Sequence, residues 1–299
     1  MSILVKPAST AARLRVHGTV VEDRIGKLHT PDTLLEWGSI TKTVTATIAS
    51  LLDREQLLSL DDPVRKYLPR SLLPRSVTMG SLVSHTSGLS SLPSDALTQW
   101  ADLADPYAKY TTAHFDEHVI PRLNVMQSRR EGEFSYSNLG YAVLTRALES
   151  ASGESWWALA QDRVLAPWGI ADVALNHVGH LTERIRERTP QLTTLTGRPR
   201  STWTDTGPFV GAGGIMSTFD ALEDYAQAAR VHGHASRRGG WMRADGIWWH
   251  NGHNRDQGAY LGISDDGTRI VTAHTVARRI GSADRVARKL LRAHGREAQ

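Results

Sequence analysis

The sequence predicts an α/β (α+β) fold in which an antiparallel sheet is flanked by helices and accompanied by an all-helical region. Short runs of β-branched and apolar residues occur near both ends of the 299-residue chain, whereas apolar residues at helical spacing dominate the middle. A sheet assembled from both chain ends around a central helical region satisfies both patterns. We therefore predict a sheet-plus-helix domain from residues 1–70 and 176–299, and a helical insertion domain at residues 71–175.

Composition narrows the functional class. The chain contains no cysteine, which excludes disulfides, thiol nucleophiles and cysteine metal sites. Its formal charge is only +4, from 35 Lys and Arg against 31 Asp and Glu, so we predict no nucleic-acid partner. The first seven residues lack an apolar signal segment, and no stretch approaches the length of a membrane span. These features predict a cytoplasmic protein that does not associate with a membrane.

The first 36 residues carry two short β-type runs, at 3–5 and 14–21, which we interpret as strands leading into a helix. In that helix, residues 37–54, apolar positions such as Ile40, Val44 and Ile48 recur at helical spacing and form one stripe. The Gly-Ser pair before them is a typical helix entry.

Ser39 lies at the start of this helix, and Lys42 lies one turn further along the same face. A serine hydroxyl becomes a strong nucleophile when a neighbouring base takes its proton, and a lysine whose pKa is lowered by burial is such a base. The N–H groups at the helix N-terminus suit a developing oxyanion. The alternative is that Ser39 only caps the helix and that Lys42 is a solvated side chain.

The middle of the chain predicts short helices followed by longer ones. An Asp-Pro pair begins a helix at 63–68, and Thr78 caps another that extends to His85. About 45 residues of weak helical pattern follow, and the segment from 176 to 208 is rich in turn residues and reads as an irregular connection. The longer helices are predicted from Leu139 to an end near Ser152-Gly153, and at 156–165.

The last part of the chain changes from helical to strand periodicity. Thr218 caps a helix that reaches Ala229, and a final helix is predicted over 283–293. Asp265-Asp266-Gly267 is typical of a hairpin turn between two strands. The predicted strands are 246–250, 259–263 and 269–274.

Five separated stretches, in this order along the chain, resemble the class C serine β-lactamases, the D-alanyl-D-alanine carboxypeptidases and related esterases. Any one of these short motifs has many chance matches, whereas five in the family's order do not. The resemblance implies a β-lactamase/transpeptidase-like fold and a serine hydrolase that forms an acyl-enzyme. The stretches are 33–43, with Ser-Ile-Thr-Lys; 60–69; 82–89, Leu-Val-Ser-His-Thr-Ser-Gly-Leu; 136–141, with Tyr-Ser-Asn; and 212–218.

The resemblance also implies roles for individual residues. Ser39 resembles the family's nucleophile and Lys42 the amine that helps to deprotonate it. Tyr136 resembles the general acid/base partner, and Asn138 the amide that orients the substrate. A phenol serves as a base only if the nearby ammonium lowers its pKa, so we expect Tyr136 and Lys42 to titrate as a coupled pair.

The third family motif, Lys-Thr-Gly, has its best match in His250-Asn251-Gly252, which departs from it. A glycine lets the strand approach the substrate, and the N–H of His253 would pair with that of Ser39 as an oxyanion hole. Histidine is not a permanent cation, so a substrate carboxylate is held less well than by lysine at neutral pH. His250 would otherwise orient Tyr136 or a substrate oxygen, or lie on an edge strand without a role.

Two further departures affect the expected substrate. Only 38 residues precede Ser39, so the family's N-terminal helix is expected to be missing or shortened, and we expect its export signal to be missing as well. A cytoplasmic member meets no cell-wall peptide, which favours hydrolysis of a small ester, lactone or amide, or acyl transfer to another acceptor. The alternatives are a true β-lactamase or D-Ala carboxypeptidase, and a non-catalytic binding descendant of the fold.

A zinc site is the competing hypothesis. His114 and His118 flank a glutamate in the pattern H-x-x-E-H, which on a helix presents two imidazoles to a metal. The sequence offers no third ligand at a suitable position, so two surface histidines explain the pattern better. We predict no cofactor and no metal, and the only predicted partner is a small-molecule substrate. The oligomeric state is left open.

Overall fold

The computed structural model describes residues 9–96, 105–125, 132–177, 179–193, 200, 202–204, 207–277 and 281–295. The strand predicted at residues 3–5 lies outside these ranges. Among the described residues, no helix has the length and apolar character needed to cross a bilayer.

An antiparallel sheet forms from both ends of the chain. In the described residues it has six strands in the order β2-β1-β9-β8-β7-β6, so that the first strand of the chain pairs directly with the last. The turn over Asp265–Gly267 joins β8 to β9, as predicted. The strands are β1 (Ser9–Val16), β2 (Thr19–Arg24), β6 (Met242–Ala244), β7 (Ile247–His253), β8 (Gln257–Ser264) and β9 (Arg269–Val276).

The run at 14–21, predicted as one strand, is a hairpin. The chain reverses at His17 and Gly18, which both have positive φ angles of 50° and 77°. β1 and β2 then pair with Val16 opposite Thr19. The prediction of a single strand was wrong because β-type residues continue on both sides of a tight turn.

A second, smaller sheet lies beside the predicted nucleophile. Its order is β3-β5-β4, and β3 ends two residues before Gly38. Trp37 is fixed to this sheet because its backbone N–H donates to Ile215 O (2.9 Å) and its indole N–H donates to Ser217 Oγ (2.8 Å). The three strands are β3 (Leu35–Glu36), β4 (Val173–Leu175) and β5 (Ile215–Ser217).

The helices agree with most of the predicted segments. The predicted helix at 63–68 is only a 3₁₀ turn, Val64–Lys66, and the irregular connection at 176–208 contains an unpredicted helix, capped by Thr182. The α-helices are α1 (Thr41–Arg54), α2 (Met79–Val83), α3 (Thr112–His114), α4 (Asn138–Ser152), α5 (Trp156–Ala160), α6 (Glu183–Arg188), α7 (Val210–Gly213), α8 (Phe219–Val231) and α9 (Ser282–Gly295). Single π turns, Phe115–Val119 and Gln161–Leu165, extend α3 and α5.

Helix α1 is buried on nearly all sides, which differs from the single apolar stripe predicted for it. Its threonines make this possible because their hydroxyls bond to backbone carbonyls instead of water. Thr43 Oγ1 donates to Ile40 O (2.8 Å), Thr47 Oγ1 to Thr43 O (2.8 Å) and Thr45 Oγ1 to Gly211 O (2.6 Å). The helix that begins beside Ser39 is therefore the centre of the core.

Both faces of the main sheet are covered by helices. On one face, Ala259, Leu261 and Ile263 of β8 belong to the large core that contains α1, α4 and α8. On the other face, Tyr260 belongs to a separate cluster with Leu290 and other residues of α9. All of β8 is consequently buried. The division of the chain into two domains at residues 70 and 176 stays a prediction.

Candidate active site

Ser39 lies in the middle of a 3₁₀ turn, Gly38–Ile40, that continues into α1. Gly38 begins this turn with φ +50°, a backbone conformation that favours glycine. A side chain there would also collide with β7, because a Cβ on Gly38 would lie 2.7 Å from the backbone nitrogen of His253. Glycine at position 38 thus allows the serine turn to lie directly against the strand.

Lys42 is fully buried and directed at Ser39. Its Nζ donates to Ser39 Oγ (2.8 Å) and to the carbonyl of Ala212 (2.8 Å). The same Nζ lies 5.2 Å from the centre of the Tyr136 ring and 5.6 Å from that of Tyr141. The alternative of a solvated lysine is wrong, because the side chain is held between a serine, a carbonyl and two aromatic rings.

Tyr136 is the third side chain of the site, beside Ser39 and Lys42. Its phenol is buried and hydrogen-bonded to Ser39. Burial raises the pKa of Tyr136 well above its ordinary value, and the bond to Ser39 offsets only part of that rise. The expectation of a lowered phenol pKa was therefore wrong for the resting protein, because loss of hydration outweighs the hydrogen bond with Ser39. Tyr136 is a neutral proton donor in this state.

His85, to which the sequence analysis assigned no role, holds the backbone on both sides of Tyr136. Its carbonyl accepts from the Ser135 N–H (2.7 Å), and its Nδ1 accepts from the Ser137 N–H (3.1 Å). Its ring also packs against that of Tyr136 at an angle of 32°, with centroids 4.4 Å apart. Burial, followed by Lys42 and His250, lowers the pKa of His85 to about 3, which keeps Nδ1 free to accept. The family-like stretch 82–89, which contains His85, was the sequence signal that could have identified this residue.

Asn138 begins α4 two residues after Tyr136, and Ser137 supplies the cap by accepting from the Gly140 N–H (2.7 Å). The Asn138 amide donates to Tyr107 Oη at 3.3 Å. Tyr107 in turn packs against Phe209, with ring centroids 4.9 Å apart. Asn138 is thus fixed beside an aromatic wall that sequence reasoning did not identify.

His250 is buried on β7. Side chains alternate along a strand, so His250 projects from the same face as position 252, which abuts the Ser39 turn. Its Nδ1–H donates to Asn251 O (2.7 Å), which leaves Nε2 unprotonated, and Nε2 is buried without a hydrogen-bond partner among the described residues. Burial and the Lys42 charge lower the pKa of His250 to about 4. The imidazole is therefore neutral at pH 7.

Gly252 and His253 form the contact between β7 and the serine turn. A Cβ on Gly252 would lie 1.9 Å from Trp37 O and 2.7 Å from Ser39 N, so only glycine fits. The Asn254 N–H donates to Gln257 O (2.9 Å) across the β7–β8 hairpin. Backbone groups of successive strand residues point to opposite edges, so the His253 N–H points away from β8, toward the Ser39 turn.

The residues of the zinc hypothesis lie elsewhere. His114 ends α3 and His118 lies in the following π turn, with their rings 4.8 Å apart. The nearest carboxylates are Asp95, 3.5 Å from His114 Nε2, and Glu117, 4.0 Å from His118 Nε2. Within the described ranges, no three His, Asp or Glu side chains form a cluster that could hold a metal ion.

The arrangement can carry out acyl transfer from a carbonyl substrate. A serine hydroxyl lies in contact with an amine and a phenol. Beside it, the backbone nitrogens of Ser39 and His253, the two predicted oxyanion donors, lie on segments whose glycines are in close contact. These are the parts that nucleophilic attack requires: a nucleophile, a proton acceptor, a proton donor and an oxyanion hole.

Comparison with proteins of known sequence gives the same assignment. Penicillin-binding protein 4 of Amycolatopsis lactamdurans is 30% identical over 191 residues, covering 56% of this chain and 47% of the relative. The D-alanyl-D-alanine-carboxypeptidase/endopeptidase AmpH of Escherichia coli K12 is 24% identical over 216 residues, covering 68% of this chain and 51% of AmpH. The chain therefore spans about half the length of these relatives.

Among solved structures, the β-lactamase/D-alanine carboxypeptidase from Yersinia pestis superposes with a TM-score of 0.74, covering 95% of this chain and 92% of that one. Its identity of 21% establishes a common fold. The family model described as Beta-lactamase matches residues 7–296, which is nearly the whole chain. The chain belongs to the β-lactamase family, the serine hydrolase family that its motifs resemble.

Proposed function

We propose that the protein is a serine hydrolase that acts through an acyl-enzyme on a small, neutral ester, lactone or amide. The observation that carries this proposal is the 2.8 Å contact between Lys42 Nζ and Ser39 Oγ, with Tyr136 bonded to the same serine. A half-buried serine in contact with both an amine and a phenol suits proton transfer during nucleophilic attack.

In the first half-reaction, Ser39 Oγ attacks the carbonyl carbon and forms a new C–O bond. Before the attack, Lys42 releases one proton to solvent, so that its neutral amine accepts the hydroxyl proton. The carbonyl oxygen takes up the negative charge between the N–H groups of Ser39 and His253. The bond to the leaving group then breaks. Tyr136, a neutral phenol, gives its proton to the leaving group, and Lys42 returns a proton to Tyr136.

In the second half-reaction, water attacks the acyl-enzyme. Its proton passes to the same amine, and the serine oxygen leaves and takes a proton back, which releases the acid and restores Ser39. An acceptor other than water would give acyl transfer by the same steps. Asn138 and His250 are proposed to border this space and to orient the substrate.

A β-lactam or a D-alanyl peptide is the second candidate substrate. The relatives named above, which include a D-alanyl-D-alanine-carboxypeptidase/endopeptidase, support it. The neutral imidazole of His250 argues against it, because an unprotonated Nε2 offers no positive charge to a substrate carboxylate. Nitrocefin and a D-Ala-D-Ala peptide, compared with p-nitrophenyl butyrate, distinguish the two candidates.

The test is ester hydrolysis together with labelling of the nucleophile. We expect the wild type to hydrolyse p-nitrophenyl acetate or butyrate, and Ser39→Ala to lower kcat by at least about 1,000-fold. Ser50→Ala, on the same helix, should leave kcat unchanged. A fluorophosphonate should modify Ser39, as located by peptide mapping. If wild type and Ser39→Ala turn over equally, Ser39 is not the nucleophile, and if no adduct or turnover is found, the chain is a binding protein.

A further inference from the structure

Glu36 is a buried carboxylate that the proposed mechanism does not use. It lies at the end of β3, three residues before Ser39, and is only 2% exposed. Both of its oxygens are bonded: Oε2 accepts from Asn254 Nδ2 (2.6 Å) and Oε1 accepts from Gln257 Nε2 (2.9 Å). Because a buried carboxylate costs free energy even when it is hydrogen-bonded, its presence here requires an explanation.

The contacts of Glu36 connect two segments that are distant in sequence. Asn254 directly follows His253 in the chain. Gln257 lies opposite Asn254 in the β7–β8 hairpin. Gln257 also donates to Pro190 O (3.0 Å) and accepts from the Glu36 N–H (3.4 Å), so its amide cannot turn freely. The carboxylate therefore joins the end of β7 to the strand that leads into Ser39.

These are the two segments that carry the predicted oxyanion hole. One donor, the Ser39 N–H, follows Glu36 on the serine turn. The other, the His253 N–H, precedes Asn254 on the opposite side of the same network. Van der Waals contact between Gly38 and Gly252 keeps the segments from moving closer, since even a Cβ does not fit between them. Contact alone does not stop the segments from separating or sliding.

We propose that Glu36 is a positioning residue that fixes the two oxyanion-hole donors relative to each other. It does not touch the substrate and acts through Asn254 and Gln257. The proposal rests on the proposed function, since the hole matters only if a carbonyl reacts there. Preorganised donors stabilise developing charge only at the correct distance, and a displacement of about 1 Å costs on the order of 100-fold in rate.

The chemistry of the network explains why a carboxylate occupies this position. In its ionised form, which predominates above its raised pKa of about 7, Glu36 presents two acceptor oxygens and therefore matches two side-chain amides that both donate. A glutamine of the same shape would turn its own NH₂ group toward one of those donors. Glu36→Gln should break one link while preserving volume, and the reciprocal double variant Glu36→Gln/Asn254→Asp should restore it, because the new amide then faces a new carboxylate.

The experiment measures kcat and KM for p-nitrophenyl butyrate, and the Kd of a boronic acid that forms a tetrahedral adduct with Ser39. We expect Glu36→Gln to lower kcat by about 10- to 100-fold with KM changed by less than about threefold, and to weaken the boronate by a similar factor. The double variant should recover most of the lost kcat and most of the lost boronate affinity. Glu223→Gln is the matched control, a buried carboxylate of α8 bonded to Arg15, and should leave both values unchanged.

The outcomes separate this proposal from the proposed function. If the wild type shows no turnover and no fluorophosphonate adduct on Ser39, the proposed function fails, irrespective of Glu36. If the wild type is active and Glu36→Gln retains its kcat and boronate affinity, Glu36 only stabilises the fold and the proposal is overturned. Should Glu36→Gln not fold, Asn254→Ala replaces it; a lowered kcat supports the proposal, and a wild-type kcat overturns it.

Discussion

His250 distinguishes this chain most clearly from the family's lysine-containing motif. Its Nδ1–H is committed to Asn251 O, and its pKa of about 4 keeps the ring neutral over the whole physiological range. The Nε2 lone pair is an acceptor and repels an acceptor such as a carboxylate. If the substrate lies against His250 as proposed, it therefore meets a hydrogen-bond acceptor and no positive charge there.

The first expected result is a preference for neutral over anionic substrates. For a matched pair of esters, one with a carboxylate near the scissile bond, kcat/KM should favour the neutral ester, and His250→Lys should narrow the ratio by about 1–2 kcal/mol. The preference should be constant from about pH 6 to 8 and decline only toward pH 4, as the imidazole gains a proton. Melting temperatures monitor the folding of the lysine variant.

A wild type that already prefers the anionic ester, or a ratio that His250→Lys leaves unchanged, would mean that His250 does not contact this part of the substrate. The direct check on protonation is the chemical shift of the His250 ring followed by NMR across the same pH range. A ring that titrates near pH 6.5 would contradict the neutral state described above.

The serine turn and strand β7 operate as one unit because two glycines meet where they touch. Gly38 has a positive φ angle, and a Cβ there would lie 2.7 Å from His253 N. We expect Gly38→Ala to separate the turn from the strand and to lower kcat/KM by at least about 100-fold. The physical reason is displacement of the two oxyanion donors.

Gly18→Ala is the matched control for this prediction. Gly18 also has a positive φ angle, +77°, but nothing lies within 4 Å of a Cβ added there. Both substitutions carry the same type of backbone strain, about 1 kcal/mol, whereas only Gly38→Ala adds the collision. Comparable losses of kcat/KM in the two variants would show that strain, and not the contact with β7, is responsible.

The protein as a whole contains several histidines that are buried in the neutral form. Burial is the main cause that lowers the pKa of His29, His234 and His250 to about 4 and that of His85 to about 3. Between pH 6.5 and 4 the unfolded chain binds protons that the folded chain excludes, so the free energy of unfolding falls as pH decreases. Glu36 contributes the opposite change: its pKa in the folded protein, about 7, exceeds its value in the unfolded chain, so its contribution to the free energy of unfolding rises as pH decreases.

We therefore expect urea titrations to give a lower free energy of unfolding at pH 5 than at pH 7.5. Each buried histidine should contribute roughly 1–2 kcal/mol to this difference. His234→Gln should reduce the difference by about that amount, whereas His180→Gln, at an exposed position, should not. An unchanged difference in His234→Gln would contradict the attribution to this histidine.

Local patterns were sufficient to predict much of the fold. The caps at Thr78 and Thr218, the end of α4 before Gly153 and the hairpin turn at 265–267 depend on interactions within a few residues, which neighbouring sequence specifies directly. The contact between Ser39 and Lys42 is local as well, because residues three positions apart lie one turn from each other on the same face of a helix. Short strands such as β3, β4 and β5 were not predicted, since two or three residues carry no period.

The rest of the site depends on contacts between distant parts of the chain and on burial. The Ala212 carbonyl accepts a hydrogen bond from Lys42 Nζ across 170 positions. His85 Nδ1 accepts from the Ser137 N–H across 52 positions, and Glu36 accepts from the Gln257 amide across 221. No local pattern encodes such pairs, because each forms only when the core closes around α1. The protonation state of Tyr136 also depends on the tertiary structure. Its pKa is raised because the surrounding core excludes water from the phenol, and the neighbouring sequence does not determine how deeply the phenol is buried.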